Sequence, residues 1–154
     1  MPISDYYQGL RGKVGTELLM VPSVAAVIRN DEGKILLLRK GGGSWGLPAG
    51  ALEPGETPSR AVRREVFEEA GLMVTPQHIL GVFGGEKYIY VYENGDKVAY
   101  SIIVFSCSIV NGTPRSLDGE ADEFRFFAED GLPELSIPYP QSIFRSDSGS
   151  TVFE

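Results

Sequence analysis

The sequence predicts a mixed fold, α+β or an α/β sandwich, in which several strands wrap one well-bounded helix. Three observations point there. Runs of about six apolar or alternating residues recur along the chain, separated by glycine, asparagine and proline. One segment, 58–70, carries helix signals at both of its ends. Two asparagine- and glycine-containing turns, at 30–33 and 94–95, join adjacent β-rich runs.

Residues 1–21 read as an N-terminal arm that is polar and glycine-containing, with an apolar end. Residues 23–29 and 34–39 are β-rich and are joined by Asn30-Asp31-Glu32-Gly33, a hairpin signal. Gly41, Gly42, Gly43 and Ser44 form a flexible loop. In the helix, Thr57 is placed as N-cap and Pro58 as first helical residue, where its missing N–H costs nothing. Gly71 is placed to close it in the left-handed region, with Leu72 folding back onto the last turn. Residues 75–83 and 87–92 alternate as strands do, and Asn94-Gly95 is a two-residue turn into a long strand over 97–110. A last strand is expected over 123–128 and a short helix over 142–146, with 147–154 as a frayed tail. The folded domain is thus expected to cover residues 22–146.

Length and composition narrow the function classes. A chain of 154 residues is one domain's worth and can bury a core. A net charge of −7 argues against a broad nucleic-acid surface, which is normally basic. No apolar run is long enough to span a bilayer and no signal-peptide pattern opens the chain, so a cytoplasmic location is expected. The single cysteine, Cys107, lies in an apolar run and reads as a packing residue. The one histidine, His78, reads as a surface residue, and Ser44 stands in no nucleophile motif.

The chemistry concentrates in residues 50–72, GALEPGETPSRAVRREVFEEAGL. Glu65, Glu68 and Glu69 stand at i, i+3 and i+4 and share one helical face. Val62, Val66 and Ala70 fall on the adjoining face, so the acids border the core. The bland alternative is a solvated acidic face, partly neutralised by Arg60, Arg63 and Arg64. Like charges at these spacings cost a helix roughly 0.2–0.5 kcal/mol per pair, so a merely structural face gains nothing from them. Hard divalent cations need such oxygen ligands, usually shared with substrate phosphates.

The stretch matches G-x5-E-x7-R-E-U-x-E-E-x-G-U at every fixed position: Gly50, Glu56, Arg64, Glu65, Glu68, Glu69 and Gly71, with Val66 and Leu72 as the bulky aliphatics. The chain therefore resembles the Nudix (MutT-like) hydrolases. The resemblance covers roughly residues 22–135 and implies a mixed sheet packed between helices. It also implies divalent-metal-dependent hydrolysis of a pyrophosphate bond in a nucleoside diphosphate linked to a group X, by metal-activated water. Mg²⁺, or Mn²⁺, is the implied cofactor and a small nucleotide the implied partner, with no nucleic acid and no membrane.

Carried over by position, Glu65, Glu68 and Glu69 match the metal-holding carboxylates. Ala49 matches the place whose backbone carbonyl joins the metal shell. Glu56 and Arg64 match the residues that orient those carboxylates, and Gly50 and Gly71 are structural, for a tight turn or a left-handed cap. The general base in many members is a glutamate on a later loop; here Glu120 is the first choice and Glu123 the second, while some members instead use a glutamate of the matched stretch itself, the box of residues 50–72. Arg39 could meet a phosphate, or be a plain surface cation. Trp45 could pack beneath the active-site loop. Tyr88 and Tyr90 stand where dinucleoside polyphosphate hydrolases carry a substrate tyrosine, although Tyr88, Tyr90 and Tyr92 also alternate as one strand face does. The alternative is a non-catalytic Nudix-like nucleotide-binding regulatory module. Tyr6, Tyr7, Leu10, Leu18, Leu19 and Met20 give the arm more apolar surface than a disordered tail carries. A homodimer is therefore expected, with the arm adding an edge strand or capping the partner's nucleotide site.

Overall fold

Alternating apolar runs need a covered face, and in the computed structural model, which describes residues 3–147 and 149–154, they assemble into one mixed sheet. The elements in order are α1 (Asp5–Val14), β1 (Leu19–Arg29), β2 (Ile35–Lys40), β3 (Trp45–Gly46), β4 (Ala49–Ala51), α2 (Pro58–Ala70), β5 (Met73–Phe83), β6 (Ile89–Val91), β7 (Lys97–Asn111), β8 (Ala121–Phe127) and β9 (Val152–Phe153). The sheet runs β3-β2-β1-β7-β5-β9, with β4 on β1, β6 on β7 and β8 on β2. Its spine is the parallel pair β1 and β7, in register from Leu19↔Val98 to Arg29↔Ser108.

The period of two sorts the core into halves. Val24, Ala26 and Ile28 of β1 bury against Val62, Val66 and Ala70 of α2. Ala25 and Val27 face the other way, onto Phe83, Tyr88, Tyr139 and Phe144. One face of the sheet is covered by α2. The opposite face is covered by the return of the chain through residues 137–144, which includes a 3-10 turn at Gln141–Phe144.

The helix ends follow their signals. Thr57 Oγ1 accepts from Arg60 N, Pro58 opens α2, and Gly71 closes it at φ 66°. The Asn30–Gly33 turn returns β1 to β2 through Arg29↔Ile35. Other expectations need correcting. The arm is not an edge strand: residues 5–14 form α1, docked on their own chain, and residues 19–21 already belong to β1. Residues 1, 2 and 148 lie outside the described residues. The strand expected over 87–92 is a 3-10 turn, Glu86–Tyr88, followed by β6, and β8 begins at Ala121. The tail is not frayed at its end, because β9 pairs in parallel with β5 at Gly81↔Val152 and Val82↔Phe153. Among the described residues no helix is long and apolar enough to cross a membrane.

Gly81 makes that last pairing possible. A Cβ there would stand 2.3 Å from Phe83 Cζ and 2.8 Å from Val152 O. Gly81→Ala is therefore expected to push β9 off the sheet and cost about 1–3 kcal/mol by overpacking. Urea unfolding, with protease sensitivity of the C-terminus, checks this; an unchanged midpoint with an intact tail would refute it.

Candidate active site

The site begins where α2 crosses β4. Glu65 and Glu69, one turn apart, point to the sheet side of the helix and are almost fully buried, with 0% and 2% exposure. The acidic face borders the core, as the spacing predicted. Gly50 lies on the same side of the sheet, and a Cβ there would fall 2.1 Å from Glu65 Cδ. Its glycine is required by the passage of that carboxyl, not by a turn, which corrects the sequence reading. Beside it, Ala49 N–H donates to Glu69 Oε2 at 2.9 Å.

Arg64 organises the outer side. Its Nε and Nη2 donate to the two oxygens of Glu56 at 2.7 and 2.9 Å, and Nη2 also reaches Ala51 O at 3.0 Å. Its Nη1 donates to Glu65 Oε1 at 2.6 Å and to Glu68 Oε2 at 3.4 Å. The Arg64 hydrogen bond holds the Glu56 carboxyl below its ordinary pKa. Glu65 goes the other way: burial pushes it up to about 8, against the pull of Arg64. Its Oε2 is buried and has no hydrogen-bond partner among the described residues.

The C-terminus of α2 draws in a second set of acids. A helix end leaves carbonyls without partners, and here the loop after β7 supplies the donors. Arg115 N–H donates to Ala70 O at 2.9 Å, and the Leu117 and Asp118 N–H groups to Glu68 O at 3.0 and 3.1 Å. The approach is close: a Cβ on Gly112 would meet Gly71 O at 2.7 Å. Asp118 Oδ1 then accepts from Ser116 Oγ and Glu120 N, folding the loop around Gly119 at φ 78°. Ligand oxygens of Glu69, Asp118 and Glu120 come within 4.8 Å of one another. Lys40 Nζ lies among them, 2.8 Å from Glu69 Oε1 and 3.1 Å from Glu120 Oε2. Burial works to lower the Lys40 pKa, but the Glu69 carboxylate leaves it above the ordinary lysine value.

The structure thus gathers Glu65, Glu68, Glu69, Glu56, Arg64, Ala49 and Glu120. Other candidates stand elsewhere. Arg39 pairs with Glu123 and lies over the Trp45 ring, 5.0 Å from its centroid, and Glu123 also accepts from Arg125 at 3.0 Å. Tyr88 is buried among Phe83 and Tyr139, so it is a core residue and not a ligand contact in this arrangement. Tyr90 donates its hydroxyl to Ser136 O at 2.8 Å. His78 lines a shallow hollow with Ser59, Arg63 and Gln77 that includes none of the carboxylates. The Cys107 thiol is buried and pushed up to about 12, which keeps it an unreactive packing group.

Asp118 and Lys40 were missed by the sequence reading. For Lys40 a signal existed: neighbours on a strand face opposite sides. Leu36 of β2 packs on the α2 side and Leu37 on the other. Lys40 shares the parity of Leu36, while Arg39 shares that of Leu37.

Comparison with known proteins gives a match to the NUDIX domain over residues 19–145. A MutT-like protein of Streptomyces ambofaciens is 44% identical over 62 residues, covering 40% of this chain and 40% of that protein. The chain thus aligns with less than half the length of this curated relative. Among solved structures, an ADP-ribose pyrophosphatase of Streptococcus suis is 25% identical, with TM-score 0.68, over 87% of this chain and 98% of the other. A UDP-X diphosphatase is also 25% identical, with TM-score 0.68, over 99% of this chain and 76% of the other.

Glu65 makes a stability prediction. Its folded pKa, about 8, exceeds the ordinary 4.5. Below both values the carboxyl is protonated in folded and unfolded chains alike. Between them the folded state binds more protons, so stability falls as pH rises and the loss is complete above about 8. In EDTA, melting temperatures from pH 5 to 9 should therefore drop less for Glu65→Gln than for the parent. Parallel curves would remove the buried charge as their cause. Gly50→Ala, which leaves no room for the same carboxyl, should lower stability by about 1–3 kcal/mol, measured by urea unfolding; an unchanged midpoint would refute the packing argument.

Proposed function

We propose, from the premise that the chain belongs to the NUDIX family, that it hydrolyses a pyrophosphate bond in a nucleoside diphosphate linked to a second group. A divalent ion, Mg²⁺ or Mn²⁺, is its proposed cofactor. The observation that supports the reading is that Glu69 of α2 comes together with Asp118 and Glu120, their ligand oxygens within 4.8 Å of one another.

The donor set fits such an ion. Its donors are carboxylate oxygens and one backbone carbonyl, the oxygen ligands hard cations prefer. The Lys40 ammonium stands among three of them as a built-in cation. Glu65 Oε2 is buried and unpartnered, and a cation beside it would relieve the burial that raises its pKa. Glu65, Glu68 and Glu69 are the proposed holders, with the Ala49 carbonyl, and Asp118 joins them. When bound, the ion would lower the pKa of water, orient the phosphates and neutralise charge on the leaving oxygen.

The remaining work falls to the chain. Glu120, in the same cluster, is the proposed base that takes the proton of the attacking water. Arg64 and Glu56 hold Glu65 and Glu68 in place, the role outer partners play around metal ligands. Phosphoryl transfer needs mainly positioning and charge stabilisation, so no protein nucleophile is required. The structural relatives named for ADP-ribose and UDP-X support a substrate that is a diphosphate bearing a second group. A homodimer is a separate proposal. It is supported by exposed Met20 and Ile89, both register partners of Ala99 and so on one sheet face. Light scattering decides it, and a mass of 16.8 kDa at every concentration rejects it.

The test is chromatography of the cleavage products, a nucleoside monophosphate and the phosphorylated second group, from nucleoside triphosphates, dinucleoside polyphosphates and ADP-sugars with Mg²⁺ or Mn²⁺. Hydrolysis of at least one class, abolished by EDTA and rising above neutral pH, is expected. No hydrolysis of any class, with nucleotide still bound, would leave the regulatory module as the reading. Glu69→Gln should cut turnover by roughly 10²–10³-fold, the scale of losing a preorganised electrostatic group, while circular dichroism stays unchanged. Near-normal turnover in that variant would reject the assignment.

A further inference from the structure

The helix α1 lies outside the matched NUDIX segment, which begins at residue 19. It contains no buried residue, and Ile3, Tyr6 and Val14 are exposed. Core burial therefore does not hold it. Polar contacts do, at two places. Near its C-terminus, Arg11 donates to Glu17 O and Lys97 O, each at 2.7 Å, and pairs with Asp96 at 3.6 Å. Near its N-terminus, Tyr7 donates its hydroxyl to Leu52 O at 2.7 Å, and Ser4 Oγ donates to Glu53 Oε2 at 3.1 Å.

Those two acceptors belong to the loop that carries the box glutamate. Glu53 O accepts from Glu56 N at 3.0 Å, and Glu53 N donates to Glu56 Oε1 at 3.2 Å. Glu56 then holds Arg64, and Arg64 holds Glu65 and Glu68. Hydrogen bonds joined by the short backbone segment Leu52–Glu53 thus lead from α1 and its N-cap to the carboxylates. Ala51 O, just before Leu52, also accepts from Arg64.

A second observation concerns the strength of α1 itself. A helix of 10 residues is marginal without packing. Gly9 and Gly12 weaken it further, since glycine is a poor helix former. Packing demands neither glycine: a Cβ at either position would meet nothing within 4 Å, and neither has positive φ. The stability of α1 therefore depends on its polar anchors rather than on its own helix propensity.

We infer that α1 is a strap that positions the box loop, with Tyr7 as its positioning residue, and that its docking tunes the divalent-ion affinity of the Glu65 and Glu68 carboxylates. This rests on the metal site of the proposed function. The chemistry predicts opposite effects from two substitutions. Tyr7→Phe removes one hydroxyl and its bond to Leu52. Gly9→Ala with Gly12→Ala makes the helix firmer and touches nothing else.

The experiment uses the full chain in three forms: parent, Tyr7→Phe and the double alanine variant. Amide hydrogen exchange without metal should speed up about tenfold in residues 51–57 of Tyr7→Phe, the scale of losing one hydrogen bond. It should slow in the alanine variant, with β1 and β7 unchanged in both. Mn²⁺ titration followed by electron paramagnetic resonance should show weaker binding in Tyr7→Phe by about three- to tenfold, and tighter binding in the alanine variant. In hydrolysis, kcat should follow the metal affinity at fixed low Mn²⁺ while KM for the nucleotide holds. Box-loop exchange equal in all three proteins overturns the strap. Altered exchange with equal Mn²⁺ affinity overturns its role in positioning. A parent chain that binds no Mn²⁺ defeats the metal reading on which the tuning depends, while the exchange data still decide whether α1 holds the loop.

Discussion

Two carboxyl groups buried between a helix and a sheet are the constraint around which this molecule is arranged. Removing an ionised carboxylate from water costs several kcal/mol unless partners replace the water. Glu65 and Glu69 both meet that cost when they ionise. Their neighbours answer the cost one by one: the Ala49 N–H and Lys40 ammonium for Glu69, and the Arg64 guanidinium for Glu65. The answer for Glu65 is incomplete, since one oxygen stays unpartnered. That remaining deficit connects the stability of the fold to the cation chemistry proposed for the site.

The same constraint explains features that look unrelated along the chain. Gly50 is a glycine because a carboxyl passes where its Cβ would be. The loop after β7 folds onto the end of α2 because the helix leaves carbonyls that need donors, and its N–H groups supply them. By filling that need, the loop carries Asp118 and Glu120 to Glu69. A structural demand at a helix terminus thereby completes the acidic cluster. Farther out, Glu56 and Arg64 pass the arrangement to the box loop, and α1 braces that loop from outside the domain.

Much of this was legible in the residues. Caps and spacing gave α2 its limits, because capping depends on a few adjacent side chains. The spacing of Glu65, Glu68 and Glu69 placed them on one face beside the core. The hairpin at Asn30–Gly33 was readable for the same local reason. By contrast, the alternation of Tyr88, Tyr90 and Tyr92 suggested a continuous strand with one exposed tyrosine face. Instead the chain makes a 3-10 turn and buries Tyr88 in an aromatic cluster. Local alternation cannot report a turn that long-range packing stabilises.

The sequence by itself determined helix α2, its acidic face and the family resemblance, since each is written within 23 contiguous residues. Tertiary structure alone decided which distant groups join that helix. Lys40 enters the cluster and Arg39 does not, because successive strand residues face opposite sides and α2 covers only one of them. Asp118 enters because the β7–β8 loop must satisfy the end of α2. The tail becomes β9 because Gly81 lets a backbone approach β5. These outcomes depend on contacts between residues far apart in the chain; of them, only the side on which Lys40 falls was readable locally, from strand parity.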